Sequence, residues 1–589
     1  MIETIERSGP ARIVNWSSDN LSCELPEVLF YESKEVAVPE YFHLIIKLEE
    51  GRRKIIDNKS GTILELPPLG KIQPPLSWLM NQFNFFMEMN EDAVSIRAPP
   101  ESFRNLCGKI EECDQEIVIL DGAFEIRRNP RQLIRSLSLL KEMAGPNKLI
   151  YLPAIMEPSN LALLVYLGAD LFDTSFVTYM SRMEMICLPE GNIHASKAKS
   201  FIGERNFKSI LEFNLKSIWR ELQLVKLMIM EGRMREFVEF RAAANASTMS
   251  ALRILDHEYY EYQEKYMPIS GSKLSCITKE SLFRPDVVRY RRRLTQRYEK
   301  PSTKKFLLLL PCSARKPYSR SKTHRILESV ITSVENWRAI HQVIVTSPLG
   351  LVPRELELFY PAAHYDVPVT GRWDLDERSI VIELLDSLSL GKYEVIICHL
   401  DRNMDFITKH VDCISTSNGE PLSHESLSNL RKELQNLCSS VSHITKEEDE
   451  MAEMESIARF QFGKGAEILL QGCRVFGKYP YLKILEGDEQ VAMLTPERGM
   501  YSLTLHGARK IMALRTNWVE IEEFQLRGNL FAAGVRDADK TLRIGDEAIV
   551  VRGEDVIAVG TASMSGEEMI RSKRGEAVRV RHIAQERDD

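Results

Sequence analysis

The 589-residue chain has no Cys-x-x-Cys pair. Its ten cysteines stand apart at 23, 107, 113, 187, 276, 312, 398, 413, 438 and 473. That scatter argues against a zinc ribbon, and no metal site or cofactor is expected. Long apolar runs are missing as well: none approaches the roughly 20 residues of a membrane helix. The opening MIETIERSGPARIV lacks the apolar core of a signal peptide. A cytoplasmic protein with no membrane partner is expected, and in a reducing compartment a cysteine is ordinarily a buried small hydrophobe or an idle thiol. There is no solenoid repeat and no low-complexity tract. Net positive charge is lacking too. The formal charge is −7, so a nucleic-acid partner has to be met by local basic patches.

Two such patches are present, FRPDVVRYRRRLTQRYEKPSTKK at 283–305 and IRSKRGEAVRVRH at 570–582. Either one taken singly reads equally well as a solvated face. The rest of the composition, 44% hydrophobic and 27% charged, is that of a soluble globular protein. At roughly 100–200 residues per domain, the length calls for about three to five domains.

Residues 1 to 270 read as an α/β unit. EIVILDG (116–122) and KLIYLPA (148–154) are short buried strands, and PRQLIRSLSLLKEMAG is an amphipathic helix between them. This alternation predicts a parallel sheet with crossover helices, possible as a barrel at this length. A basic boundary region follows. Residues 305–440 repeat the pattern with FLLLL, HQVIVTS and KYEVIICHL as buried strands. From 445 short alternating runs take over, and 516–583 has β-runs separated by Gly-Asn, Gly-Asp and Gly-Glu turns, the pattern of a small β-barrel.

The chemistry concentrates where FLLLL ends. Residues 309–324 read LLPCSARKPYSRSKTH. In an open parallel sheet, ligands bind at the carboxyl ends of strands, and this loop leaves such an end. Ser319 or Ser321 is a plausible N-cap for the next helix. That places Cys312 near a helix N-terminus beside Arg315 and Lys316, two features that favour a thiolate. Lowering a thiol pKa by two units takes about 2.7 kcal/mol. The bland alternative is a structural loop with an inert cysteine. Other strand ends carry Ser347, then His364 and Asp366, then His399 and Asp401, each of which can equally be turn chemistry.

PCSARKPYSRSKTH resembles the signature of the archaeosine synthase family: Pro311, Cys312, Ser313, Lys316, Pro317, Tyr318, Ser321 and His324 all fall on it. TSPLGLVPRELE and YPAAHYDVPVTGRWD resemble the same family, a diverged paralogue of archaeal tRNA-guanine transglycosylase. The N-terminal third resembles the transglycosylase through IRRNPRQL and YLPAIMEPSNLALLVYLGADLFD, with Asp173 at the position of its nucleophile. LDGAFEI does not supply the second catalytic aspartate, and the Cys-rich zinc segment is missing. The barrel is therefore expected to be a scaffold.

The resemblance implies a multidomain α/β chain: a degenerate transglycosylase-like (β/α) barrel at 1–275, a basic linker at 276–304 and an open parallel α/β catalytic domain at 305–440. A small α+β domain at 445–512 and a PUA RNA-binding pseudobarrel at 513–587 complete it. The activity it implies is addition of an amine donor, lysine, to the nitrile of 7-cyano-7-deazaguanine at position 15 of tRNA, giving an amidine. A radical-SAM partner protein would complete the conversion, and a homo-oligomer is expected. Within that reading Cys312 adds to the nitrile, and Lys316 or His324 protonates the imide nitrogen. Ser313, Tyr318, Ser321, Ser347, His364, Asp366, His399 and Asp401 are candidates to hold substrate, with Asp366 or Asp401 on a lysine ammonium. Arg571, Lys573, Arg574, Arg579 and Arg581 are candidates for phosphate contacts. A loop that only polarises the nitrile, a non-catalytic tRNA-binding subunit and an active base-exchanging transglycosylase are the alternatives.

Overall fold

The structure, a computed structural model, describes residues 1–589 except 19–20, 33–34, 50–51, 68–75, 77–84, 272 and 586–589. The chain divides into two compact units. One is Met1–Met267 with Phe531–Ala533 and Glu568–Gly575; the other is Pro268–Leu530 with Gly534–Glu567 and Glu576–Asp589. No described helix is long and apolar enough to cross a membrane.

The first unit is built on a nine-stranded sheet. Six of its strands run parallel, in the order Leu44–Glu49, Glu27–Tyr31, Leu171–Asp173, Leu149–Leu152, Ile117–Leu120 and Ala93–Arg97. Period two decides which side chains face where. Val28, Phe30, Val118, Leu120, Ile150 and Leu152 pack with the helices. Leu29, Ile117, Ile119, Leu149, Tyr151 and Leu171 pack with Val14 and Trp16 of an N-terminal three-stranded meander. The sheet's two ends approach each other through side chains: Asn90 Nδ2 donates to Glu65 O at 2.8 Å, and Glu65 N donates to Asp92 Oδ2 at 2.7 Å. This is the parallel sheet that the alternation predicts, and it matches the degenerate (β/α) barrel that the resemblance implies. The helix Pro130–Ala144 starts on the Asn129 side chain, which accepts from Gln132 N.

The second unit centres on a five-stranded sheet in which Phe306–Pro311 lies between Ile340–Thr346 and Val395–Cys398, parallel to both. Gly350–Pro353 adds antiparallel at one edge, and Ile414–Ser415 adds parallel at the other. All of Phe306–Pro311 is buried, as a central parallel strand covered on both faces must be. Leu307 and Leu309 join the core that contains Val381 and Leu385 of the helix Leu375–Ser387. Phe306, Leu308 and Leu310 join the one that contains Leu327 of Lys322–Ile331 and Leu430 of His424–Cys438. The helix Lys446–Phe462 and a four-stranded antiparallel sheet follow, and then a six-stranded sheet, Trp518–Ile521 through Glu576–Ile583, forms the small C-terminal barrel.

The segment 276–304 is not a linker. It contains the helix Pro285–Gln296, whose Val287, Tyr290 and Leu294 enter the core of the second unit. Its arginines are largely occupied. Arg284 forks onto Asp286 at 2.8 and 3.0 Å, Arg289 donates to Pro268 O at 2.9 Å, and Arg297 donates to Gln461 O at 3.1 Å. Arginine density read as a free basic patch was instead the polar lining of a packed, strongly amphipathic helix. The boundary also comes earlier than 275, because Leu274–Ser275 pairs with Tyr365–Asp366 in the second unit.

Candidate active site

Strand Phe306–Pro311 ends where the parallel ladder to Val345 ends, and Cys312 is the first residue past it. The helix that follows starts at Lys322, capped by Ser321 Oγ, which accepts from His324 N at 3.1 Å. Ser321 is therefore a cap with 3% exposure, not a substrate ligand.

His324 is 1% exposed. Its Nε2 donates to Pro311 O at 3.0 Å and its Nδ1 accepts from Arg354 Nη2 at 2.8 Å. Burial first, then the Arg354 charge, hold its pKa down to about 3. A neutral ring with both nitrogens engaged fixes the strand end in place; it is not the acid expected to protonate the nitrile nitrogen. Arg354 is steered in turn by Gln342 Oε1 at 3.0 Å and Glu357 Oε2 at 3.0 Å. Glu357, with no exposure, also accepts from Ser319 N at 3.0 Å and from the Tyr479 hydroxyl at 3.1 Å. This carboxylate ties the loop to the domain below it. Next to it the backbone of the following block comes very close: a Cβ on Gly499, at φ +65°, would stand 1.9 Å from Leu358 O, so only glycine fits there.

Around Cys312 the structure gathers groups from separate segments. The Thr346 side chain stands close enough to the thiol to favour its ionised form. Thr346 and Tyr318 both hydrogen-bond the Tyr365 hydroxyl. Lys316 Nζ sits 4.0 Å from the centre of the Tyr365 ring. Tyr318 has no exposure, and burial pushes its hydroxyl far up. It shares a hydrogen bond with Tyr365 within this cluster rather than ionising. Burial also raises the Cys312 thiol and the nearby Asp401 adds to that; Lys316 and Thr346 offset it only in part. The expected thiolate is thus a neutral thiol at rest, because desolvation outweighs one cation. Burial lowers the Lys316 ammonium, with Cys312 and Asp366 pulling the other way. Asp366, exposed, pairs with Lys273 at 2.7 Å, and that partner holds its carboxyl low. Asp401 is exposed, and partial burial raises its carboxyl. The resulting constellation pairs a thiol with an amine of lowered basicity beside three hydroxyls and two carboxylates.

The remaining candidates fall outside it. His399 has no exposure and spends its ring on Thr416 Oγ1 at 2.9 Å and Pro421 O at 2.8 Å, so it is a structural histidine. His364 Nδ1 is buried without a partner, and its ring lies 5.9 Å from Tyr360. Ser313 Oγ donates to Arg315 O at 3.1 Å within the turn. Ser347 lends its carbonyl to Thr346 Oγ1 at 3.2 Å. Sequence reading missed Thr346, Lys273 and Glu357. For Thr346 the signal was available, since it ends the strand that adjoins the motif strand.

Of the phosphate candidates, Lys573 and Arg574 are exposed, and Arg579 is exposed beside Glu576 at 3.1 Å. Arg571 instead caps the helix Pro130–Ala144, donating to Glu142 O at 2.8 Å and Met143 O at 3.2 Å. Arg581 donates to Glu547 at 2.6 Å and Leu503 O at 2.8 Å. Both are structural. No metal site was expected, yet Cys23, Glu27 and His43 place ligand atoms within 4.8 Å of one another. There Lys226 Nζ, 3.3 Å from Glu27, already supplies a cation.

In the barrel, Asp173 is 2% exposed and fully engaged. It accepts from the Tyr151 hydroxyl at 2.6 Å, Ala154 N at 3.2 Å, Ser175 N at 2.8 Å and the Ser175 hydroxyl. A carboxylate held by four donors has no free lone pair aimed at a sugar carbon. Asp173→Asn is expected to lower stability by about 1–3 kcal/mol through the mismatched amide. It should leave turnover within a few-fold of wild type. A hundredfold loss in a folded variant, measured by steady-state kinetics beside a thermal melt, would return Asp173 to the chemistry.

Three segments match known families: residues 101–210 the Queuine tRNA-ribosyltransferase family, 287–434 a domain of unknown function (DUF5591), and 520–584 the PUA domain. The motif and its surroundings thus lie in the family whose function has no description. Over most of its length the chain is similar to the archaeosine synthase subunit alpha of Methanosarcina acetivorans, 33% identical over 91% of this chain and 90% of that one. It is 32% identical to the subunit alpha of Thermoplasma acidophilum, over 80% and 89%. With that of Thermococcus kodakarensis it shares 35% identity over 80% and 81%.

Proposed function

The chain belongs to the archaeosine synthase family, and from that premise we propose that it adds the amine of a free amino acid, lysine, to the nitrile of a 7-cyano-7-deazaguanine base in tRNA. The observation that carries this reading is the juxtaposition of Cys312 with Lys316 under the Thr346–Tyr365–Tyr318 hydroxyl cluster, at the carboxyl end of the central parallel strand.

The balance is simple. A primary amine and a nitrile combine into an amidine with no leaving group and no redox change. An uncatalysed nitrile carbon is a poor electrophile. In the covalent route Cys312 Sγ adds to that carbon while its proton passes through Lys316 to the nitrile nitrogen, giving a thioimidate. The amine then attacks the same carbon, the carbon–sulfur bond breaks and the thiol is restored. A lysine of lowered basicity beside a neutral thiol suits this transfer, because its deprotonated form can take the thiol proton as the carbon–sulfur bond forms. Tyr365 and Thr346 can donate to the developing imide nitrogen, as preorganised hydroxyls do in other polarised sites. Asp366 and Asp401, at the open side, have the charge to receive the α-ammonium or side-chain ammonium of an amino acid. His324, Arg354 and Glu357 hold the frame.

The PUA domain and the exposed Lys573, Arg574 and Arg579 support a tRNA substrate, with a radical-SAM protein as the partner acting on the product. The test is incubation of the purified chain with nitrile-bearing tRNA and isotopically labelled amino acids, followed by nucleoside mass spectrometry. A nucleoside heavier by the intact labelled amino acid is expected. Recovery of unmodified nitrile under conditions where the tRNA is bound would leave only an RNA-binding role. Release of the base from the tRNA would point to exchange instead.

A further inference from the structure

The segment 474–483 reads RVFGKYPYLK. It folds as the paired strands Arg474–Lys478 and Tyr481–Glu486, with Arg474 opposite Leu485, Phe476 opposite Lys483 and Lys478 opposite Tyr481. Residues directly opposed in an antiparallel ladder, and those two apart along a strand, share one face. Arg474, Phe476, Lys478, Tyr481 and Lys483 therefore lie on the same side. The intervening Leu482 and Ile484 are 2% and 0% exposed and belong to the core. The shared side faces solvent: Phe476 is 64% and Tyr481 51% exposed, and the three basic residues are exposed too. The acidic groups near it are few. Glu497 accepts from the Tyr481 hydroxyl at 3.0 Å, and Asp488 lies 3.7 Å from Arg474 at the far end.

Cations alternating with rings on a flat ribbon match one class of ligand: a polyanion with planar groups that can stack. That is an RNA strand with unpaired bases, whose phosphates meet the cations and whose bases meet the rings. An acidic protein would use the charges but would not call for Phe476 and Tyr481 at alternating positions with them.

The ribbon is also physically continuous with the Cys312 loop. At its tip the Tyr479 hydroxyl donates to Glu357, the carboxylate that also accepts from Ser319 N of the motif loop. Exposed Arg320 from the same loop lies near Tyr481 and Glu497. We propose that the outward face of hairpin 474–483 is the docking ribbon for the unpaired RNA segment that flanks the base presented to Cys312. Phe476 and Tyr481 are its stacking platforms, and Arg474, Lys478 and Lys483 its phosphate contacts. This rests on the tRNA reading above and deepens it.

The test uses the full chain and a tRNA transcript, with binding measured apart from chemistry. The Phe476→Ala/Tyr481→Ala double variant is expected to weaken tRNA binding at least tenfold while keeping the wild-type salt slope, and Phe476→Trp to bind at least as well as wild type. Lys478→Ala/Lys483→Ala is expected to weaken binding at low salt and to flatten the logarithmic salt slope by roughly one to two units. In turnover, KM should rise by more than kcat falls. Circular dichroism and a thermal melt establish that each variant folds. Unchanged affinity and slope in both folded double variants would overturn the proposal. So would unchanged RNA affinity with an altered oligomeric state by light scattering, which would make the ribbon a contact between copies. If wild type binds tRNA but adds no amine, while the variants lose binding, the amine-addition reading falls and the ribbon stands.

Discussion

Cys312→Ser is expected to lower amine addition by at least about a thousandfold, on the order of 4 kcal/mol of transition-state stabilisation. Serine preserves the size of the side chain and its capacity to hydrogen-bond beside Thr346, so a structural thiol would tolerate the change. A serine hydroxyl at neutral pH is a far weaker nucleophile than a thiol that can pass its proton to a neighbouring amine. tRNA affinity should stay nearly constant, since one side chain adds little beside many phosphate contacts. Wild type supplied with nitrile tRNA and no amine should accumulate an adduct on the peptide that carries Cys312. The pH profile carries a second signature. Burial raises Cys312 and lowers Lys316. Below the lowered Lys316 pKa the amine is protonated and cannot accept the thiol proton, so kcat/KM should climb with pH through a value below the ordinary lysine pKa of about 10.4. A serine variant that keeps more than about a tenth of the rate, with no adduct trapped, would leave polarisation by Lys316 and the hydroxyl cluster as the chemistry.

Glu357→Ala should be nearly as damaging, by a different route. The carboxylate has no exposure and receives Arg354, Ser319 N and the Tyr479 hydroxyl. Removing it leaves a mostly buried guanidinium without its counter-charge and two donors without an acceptor. Losing one partner of a buried pair costs about 3–5 kcal/mol. The expected result is a denaturant midpoint shifted by that amount, together with turnover reduced at least tenfold at temperatures where the variant is folded, because the Cys312 loop loses its tether. Glu357→Gln, which keeps acceptor geometry without charge, should recover part of both. A variant with wild-type stability and rate would show that His324 and Ser321 hold the loop unaided.

Much of the architecture was legible in the chain. Runs such as FLLLL and VIIC between amphipathic helical stretches required a parallel sheet covered on both faces, because an unbroken apolar strand has no wet side. Gly-Asn and Gly-Asp turns between short β-runs required a small barrel, and the motif's place at a strand end followed from the same pattern. The spacing in PCSARKPYSRSKTH also located Cys312 and Lys316.

What the chain could not disclose was the surroundings. Whether a thiol ionises depends on how much water and how many charges stand within a few ångströms, and those come from Thr346, Tyr365 and Asp401, which lie apart from the motif along the chain. His324 and His399 looked like free imidazoles because a sequence does not show carbonyl oxygens; the fold spent both rings on backbone acceptors. The arginines of 283–305 looked like an RNA patch because charge is local in sequence, but helix packing turned several of them inward onto Asp286, Pro268 and Gln461. Glu357 was one acid among many in ELELFYP until Arg354, one turn earlier, and two separate segments, at Ser319 and Tyr479, delivered their donors to it. Local pattern dictates elements and the position of a motif, since both depend on neighbours in the chain. Protonation, pairing and the choice between catalytic and structural roles depend on neighbours in space, and only the tertiary structure supplies those.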